Sequence, residues 1–292
     1  MKNLKRFATL FTTFALTSSI LAGCGSAKTD KAASGKDSSD KVYRSVDEIK
    51  ESGTINIGVF SDKAPFGYVD DKGEYQGYDV YFAERIAKDL GVKVKYTSLD
   101  PASRVESAKT GKVDIVLANF TVTEDRAKEV DFALPYMKVQ LGVVSPDQAV
   151  IKDVKDLKGK ELIVAKGTTA ETYFEANYPD VTLQKYDQYA DAYNALLDAR
   201  GDAFSTDNTE VLAWANQNKG FTVGITALGD TDTIAPAVAK GNDSLLNWLN
   251  DEIKSLGKEQ FFHADYQATL ADIYGSAATP DELVVEGGEV EK

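Results

Sequence analysis

From Thr54 onward the chain alternates short strand-like runs with helix-patterned segments, and it does so in two rounds. Ile55 to Val59 reads as a strand. Val80 to Leu90 reads as a helix, with Phe82, Ile86 and Leu90 on one face and Gly91 closing it. Val92 to Thr97 is a predicted strand, Val105 to Lys109 a short helix, and Asp114 to Ala118 a buried strand. In the second round Glu161 to Ala165 is a strand, and Gly167-Thr168-Thr169 turns into a helix from Ala170. Val181 to Tyr186, a helix over Tyr189 to Ala199, the buried strand Asp202 to Ser205 and a helix over Thr209 to Asn218 follow. Such alternation implies sheets with helices on both faces. A late strand, Ile234 to Ala239, lies beyond the second round, as does an amphipathic helix through Leu245, Leu249, Ile253 and Leu256 that Gly257 is expected to end. This last segment is expected to return to the first lobe, with crossovers near Tyr136–Gln140 and Leu228–Ala235.

The expected fold is therefore α/β with two lobes. Open sheets of this kind bind ligands beyond the carboxyl ends of their strands, which places a ligand cleft between the lobes. Lobe I is expected over 49–138 and 234–274, and lobe II over 139–233. The acidic tail, 275–292, is expected to fray.

The N-terminus reads as an address. Lys2, Lys5 and Arg6 precede a weakly apolar stretch, Phe7 to Leu21, too short for a bilayer span of about 20 residues. Cationic head, short apolar middle and small-residue end make residues 1–23 a secretory signal. The end, Leu21-Ala22-Gly23-Cys24, resembles the bacterial lipobox, and Cys24 is the only cysteine of the chain. Residues 24–48 are expected to form the lipidated cysteine and a flexible tether, since Gly25 to Lys41 holds no aromatic or large apolar residue. The expected location is the extracytoplasmic face of the cell membrane.

Charge and composition exclude several classes of function. The net charge of −13 argues against nucleic acid as a partner. One cysteine excludes an internal disulfide and Cys-cluster metal sites, and one histidine, His263, reads as a structural or surface residue rather than a base. No P-loop and no Gly-x-Ser-x-Gly elbow occurs. Asp70-Asp71-Lys72-Gly73-Glu74 reads as a turn, and Asp230 and Asp232 as solvated loop residues. No cofactor and no metal is expected.

The stretch with most chemical content runs from Asn119-Phe120-Thr121-Val122-Thr123-Glu124-Asp125-Arg126 to Asp131-Phe132-Ala133-Leu134-Pro135-Tyr136. Thr123 offers an N-cap, with Glu124 and Asp125 suited to the first helical turn. Arg126 can present a fork to a carboxylate, or can pair with Asp125, Glu129 or Asp131. Asp207, just after a buried strand, is either a helix cap or a ligand-binding acid. Arg104, at the start of a short helix, reads by itself as a solvated surface arginine.

The Arg126 stretch is similar to the family 3 extracellular solute-binding proteins, the amino-acid receptors of ABC importers. Pro65-Phe66-Gly67-Tyr68 with Gly77-Tyr78-Asp79-Val80, Lys166-Gly167-Thr168-Thr169-Ala170, and Asp202-Ala203-Phe204-Ser205-Thr206-Asp207 carry the same resemblance. It implies a periplasmic-binding-protein-like clam-shell of type II. It implies that Arg126 grips an α-carboxylate with Thr121 and Thr169, and that Asn119 and Asp207 take the α-ammonium. It also implies that Arg104 reads the side chain, and that Phe60, Phe66 and Tyr68 wall the pocket, with core packing the rival role for these rings. The wording around Ser61–Val69 and Leu134–Val139 most resembles the cysteine-binding branch. Acidic amino-acid binders rank second, cystine or glutamine binders third. The implied partners are an ABC permease and its ATPase, with a multiply acylated (palmitate-bearing) Cys24 at the membrane and a monomeric receptor. A dehydratase-type enzyme and a sensor on the same fold are the rival classes.

Overall fold

The computed structural model describes residues 41–290. The signal, Cys24 and residues 25–40 of the tether lie outside them. The body begins earlier than the tether boundary at residue 48 allows. Ser45 caps the helix Val46–Ser52, and the Glu48 carboxylate accepts from the Ser45 N–H in return. Val46 and Ile49, three residues apart, bury themselves in the same apolar cluster as Leu245 and Leu249.

Two five-stranded sheets carry the two lobes. The first has the order Lys93–Ser98, Thr54–Val59, Ile115–Val116, Ala237–Ala239, Val130–Phe132. Thr54–Val59 pairs in parallel with both neighbours, so helices must cross over between these strands. The crossover helix Tyr78–Leu90 buries Phe82, Ile86 and Leu90, and Gly91 ends it in the left-handed conformation. Ala237–Ala239 is antiparallel to Ile115–Val116 and Val130–Phe132, so the late strand completes the first sheet. The second sheet has the order Thr182–Tyr186, Glu161–Ala165, Ala203–Asp207, Met137–Pro146, Phe221–Ile234. A three-stranded ribbon, Asp62–Lys63, Gly67–Val69 and Tyr75–Gln76, stands beside the first sheet.

Met137–Pro146 and Phe221–Ile234 join the lobes as one antiparallel pair. Met137 faces Ile234 at one end and Pro146 faces Phe221 at the other. The register slips three times between Val223 and Asp232, so this ladder is interrupted where a rigid one would resist bending.

Four sequence expectations need correction. The strand expected over Asp114 to Ala118 is shorter: its paired positions are Ile115–Val116, with the Asp114 and Leu117 N–H groups still donating to the Asn56 and Gly58 carbonyls, and Ala118 lies beyond it. The strand expected over Ile234 to Ala239 is divided: Ile234 ends the long connecting strand and only Ala237–Ala239 lies in the first sheet. Gly257 does not end the last amphipathic helix, which runs Asp243–Lys258. The acidic tail does not fray over its described part. Thr279 and Glu282 form a capping box, Leu283, Val284 and Val285 are buried, and Val284 bridges to Met137. Three consecutive apolar residues outweigh the surrounding acids there.

Candidate ligand-binding site

The carboxyl ends of both sheets deliver side chains to one place. Beyond Thr54–Val59 come Phe60, Asp62 and Lys63, and beyond Ile115–Val116 come Asn119 and Thr121. On the other lobe Gly167, Thr168 and Thr169 follow Glu161–Ala165, and Asp207 ends Ala203–Asp207.

Thr123 caps the helix Glu124–Glu129, its hydroxyl accepting from the Arg126 N–H at 3.2 Å. The Arg126 guanidinium donates to the Thr121 carbonyl at 2.7 Å and the Gly167 carbonyl at 2.9 Å. The acids that competed for it are engaged elsewhere: Asp125 with Lys128, Glu129 with Lys109, Asp131 with Lys240. Burial and the nearby Arg104 charge bring the Arg126 pKa down to about 9, which leaves it a cation at neutral pH.

Arg104 is 2% exposed and not a solvated surface residue. It donates to the carbonyls of Pro101, Ala118, Asn119 and, across the lobes, Gly167 at 3.2 Å. Both guanidiniums lie over the Phe120 ring, at 4.6 and 4.8 Å from its centroid. Among the described residues, every hydrogen-bond acceptor of these two cations is a main-chain carbonyl. Two cations, Arg104 buried and Arg126 partly so, therefore converge with no carboxylate hydrogen-bonded to either among the described residues, an arrangement suited to an anionic group.

Asp207 occupies the N-cap position of the helix Asn208–Gln217 but makes no side-chain cap bond. Asn208 Oδ1 accepts from the Thr209 N–H instead. The Asp207 carboxylate turns to the cleft, where Oδ2 accepts from Lys63 Nζ at 3.3 Å. Asn119 has φ +43°, a conformation costly for a residue with a Cβ. Its N–H donates to Asp79 at 2.7 Å, its carbonyl accepts from Arg104, and its Oδ1 accepts from Lys63 at 2.7 Å.

Thr121 is buried beside Arg126. Thr169 opens the helix Thr169–Asn177, which Thr168 caps, and lines an interlobe crevice of about 220 Å³ with Thr123, Tyr173 and Asp232. Phe60 is fully buried and meets Tyr189 of the other lobe edge-on at 5.4 Å. Phe66 sits in the first-lobe core, its ring centroid 5.8 Å from Lys63 Nζ. Tyr68 is not drawn into the cluster. It stands partly exposed on the ribbon strand Gly67–Val69, opposite Asp62 and Gln76. Asp230 and Asp232 are strand residues, not loop residues; Asp232 is half-buried, and burial raises its pKa. His263 is structural, placed between Glu286 at 2.8 Å and Asp281 at 3.2 Å. Among the described residues no group of His, Cys, Asp or Glu is arranged to hold a metal ion.

Three participants escape a reading of the sequence: Lys63, Tyr189 and Glu210. Lys63 Nζ lies 2.9 Å from Glu210 and 3.1 Å from the Tyr189 hydroxyl. Burial opposes its charge, yet Glu210, Tyr189 and Asp207 hold its pKa above the ordinary lysine value. Burial raises Glu210 to about 7 despite Lys63. No local pattern announces these residues, because the cluster forms only where Lys63 of the first lobe meets Tyr189 and Glu210 of the second.

The lobes are shut in this structure. Besides the Lys63 contacts, Asp62 accepts from the Ala190 N–H at 3.1 Å, at the start of the helix Tyr189–Leu197. Two open α/β sheets closing on a water-poor cluster of opposite charges define a hinged solute-binding protein.

Comparison with known proteins agrees. Residues 55–268 match the bacterial extracellular solute-binding proteins, family 3. The crystal structure of the L-cysteine solute receptor of Neisseria gonorrhoeae is similar, with 50% identity, a TM-score of 0.82, and coverage of 83% of this chain and 100% of that one. The cysteine-binding protein of Campylobacter jejuni gives 50% identity and a TM-score of 0.81, covering 82% of this chain and 98% of that one. The ABC transporter glutamine-binding protein GlnH of Bacillus subtilis is 29% identical, over 87% of this chain and 93% of its own. The chain belongs to the bacterial extracellular solute-binding proteins, family 3. These relatives are solute receptors, not enzymes.

Proposed function

We propose that this chain is the receptor of an ABC importer for a polar amino acid, cysteine first, tethered outside the membrane through Cys24. The observation that carries this reading is the cleft itself. Arg126 on one lobe offers a guanidinium with only carbonyl partners, and Asp207 on the other offers a carboxylate turned inward. A zwitterion supplies one group for each and so favours the closed form. Arg126 grips the α-carboxylate with Thr121 and Thr169, and Asp207 with the Asn119 carbonyl takes the α-ammonium. The 50% identity to two cysteine receptors supports cysteine as ligand.

Titration calorimetry with L-cysteine, L-cystine, L-glutamate and L-glutamine tests the assignment. L-cysteine binds tightest on this reading. Arg126→Ala removes charge-assisted hydrogen bonds of about 1.5–3 kcal/mol each, so affinity falls about 100-fold or more. Near-wild-type affinity in that variant would refute the clamp.

One observation favours an acidic amino acid as the second reading. Arg104 is a second buried guanidinium with carbonyl acceptors alone, and a ligand carboxylate would be its natural partner. Glutamate binding tighter than cysteine in the same titrations would select it.

A further inference from the structure

The ammonium of Lys63 lies in surroundings that elsewhere receive a cationic ligand. Lys63 is 1% exposed, on the two-residue strand Asp62–Lys63 of the first lobe. Its Nζ touches Asn119 Oδ1 at 2.7 Å, Glu210 at 2.9 Å, the Tyr189 hydroxyl at 3.1 Å and Asp207 at 3.3 Å. Three rings stand round it, with centroids at 4.5 Å for Tyr189, 5.4 Å for Phe60 and 5.8 Å for Phe66. Two carboxylates and several aromatic faces are the chemistry that recognises ammonium and guanidinium groups. Here the chain itself supplies the cation.

This has a consequence for the ligand. The closed cleft already holds Lys63, Arg104 and Arg126 against Asp207 and Glu210. The α-ammonium of any amino acid already shares Asp207 with Lys63, so a cationic side chain would add a further positive charge inside a buried cleft and would find Glu210 paired with Lys63 as well. We propose that Lys63 is a specificity-determining residue, a tethered cation that fills the acidic and aromatic cage and so excludes L-arginine and L-lysine from the cleft. The proposal rests on the reading that an amino acid is clamped between Arg126 and Asp207, and it is independent of which neutral or acidic ligand binds.

Calorimetry on the full chain tests it in three arms. The wild-type protein binds L-arginine and L-lysine at least about 100-fold more weakly than L-cysteine; affinity within about tenfold overturns the proposal. Lys63→Met and Lys63→Gln empty the cage, and L-arginine affinity rises about tenfold or more while that for L-cysteine does not rise in step. A merely structural defect would weaken every ligand together. A folded variant, checked by near-ultraviolet circular dichroism, that gains no arginine affinity overturns the proposal. Glu210, with its pKa already about 7, takes up a proton readily enough for removal of Lys63 not to leave that carboxylate charged. Should neither variant fold, Lys63→Ala in the same titrations takes their place, and the wild-type ligand series can still overturn the proposal. The third arm adds Arg126→Ala to Lys63→Met. Loss of the acquired arginine binding upholds both readings, whereas its persistence leaves the cage standing and removes the clamp.

Discussion

Asn119 shows how one residue is held in a conformation that few side chains other than asparagine tolerate. A non-glycine residue at φ +43° carries a conformational cost of about 1–3 kcal/mol, offset only if its neighbours fix it. Asp79 does this from the helix Tyr78–Leu90: one carboxylate oxygen accepts from the Asn119 N–H at 2.7 Å and the other from the Tyr136 hydroxyl at 2.6 Å. Burial raises the Asp79 pKa from 3.8 to about 7, although these hydrogen bonds pull it down. The sign follows from linkage. The unfolded chain ionises this group above about pH 4 while the folded chain keeps the proton until near 7, so the stability it contributes is complete at low pH and fades as pH rises through that window. Asp79→Asn cannot ionise. Between pH 4 and 7 it therefore gains on the wild type by roughly 2–4 kcal/mol in denaturant melts. A constant difference across that range would show that Asp79 is charged throughout. Glu210, also raised to about 7, adds the same trend to both proteins and cancels in the comparison.

At the scale of elements, what was legible depended on how far each signal reached. In the strand Glu161–Ala165 the apolar run Leu162 to Ala165 is buried behind an exposed Glu161, and its limits could be read directly. The Asp207 helix start was equally plain, but not where the carboxylate points, because Asn208 takes over the capping work and Lys63 comes from 144 residues away. Lys63 itself reads as an ordinary surface lysine, since nothing in Ser61-Asp62-Lys63-Ala64 marks it for burial. Gly257 misled for a related reason. Glycine after an amphipathic run usually ends a helix, but here it lets the terminal segment cross: a Cβ at this position would stand 2.4 Å from the Gly287 nitrogen. Gly257→Ala sets two effects against each other. Helix propensity favours alanine by about 1 kcal/mol, while forcing backbone away from backbone costs about 1–3 kcal/mol. The clash is with main chain and cannot be relieved by a rotamer change, so the variant is expected to melt lower than wild type. A higher melting temperature would show that the tail yields freely.

For the whole molecule, function reduces to how the two lobes meet. The contacts that close the cleft include the Lys63 cluster, Asp62 on the Ala190 N–H, Phe60 on Tyr189, and both guanidiniums on the Gly167 carbonyl, while apart from these the Tyr274 hydroxyl donates to the Thr209 carbonyl and Asn216 to the Ile273 carbonyl. Gly167 is the tightest of these places. It has φ +75°, and a Cβ on it would lie 2.6 Å from the Ala102 Cα of the opposite lobe. No other residue can bring its carbonyl so near both arginines. Gly167→Ala therefore meets a steric barrier specific to the shut state, besides local strain at positive φ of about 1–2 kcal/mol. A ligand can shift the equilibrium only by its differential affinity for the closed form, so a penalty confined to that form lowers apparent affinity directly. The expected result is a dissociation constant raised about tenfold or more. Small-angle scattering should then show a radius of gyration that contracts less on adding ligand than in wild type. Contraction and affinity equal to wild type would mean that the lobes meet elsewhere when they close in solution.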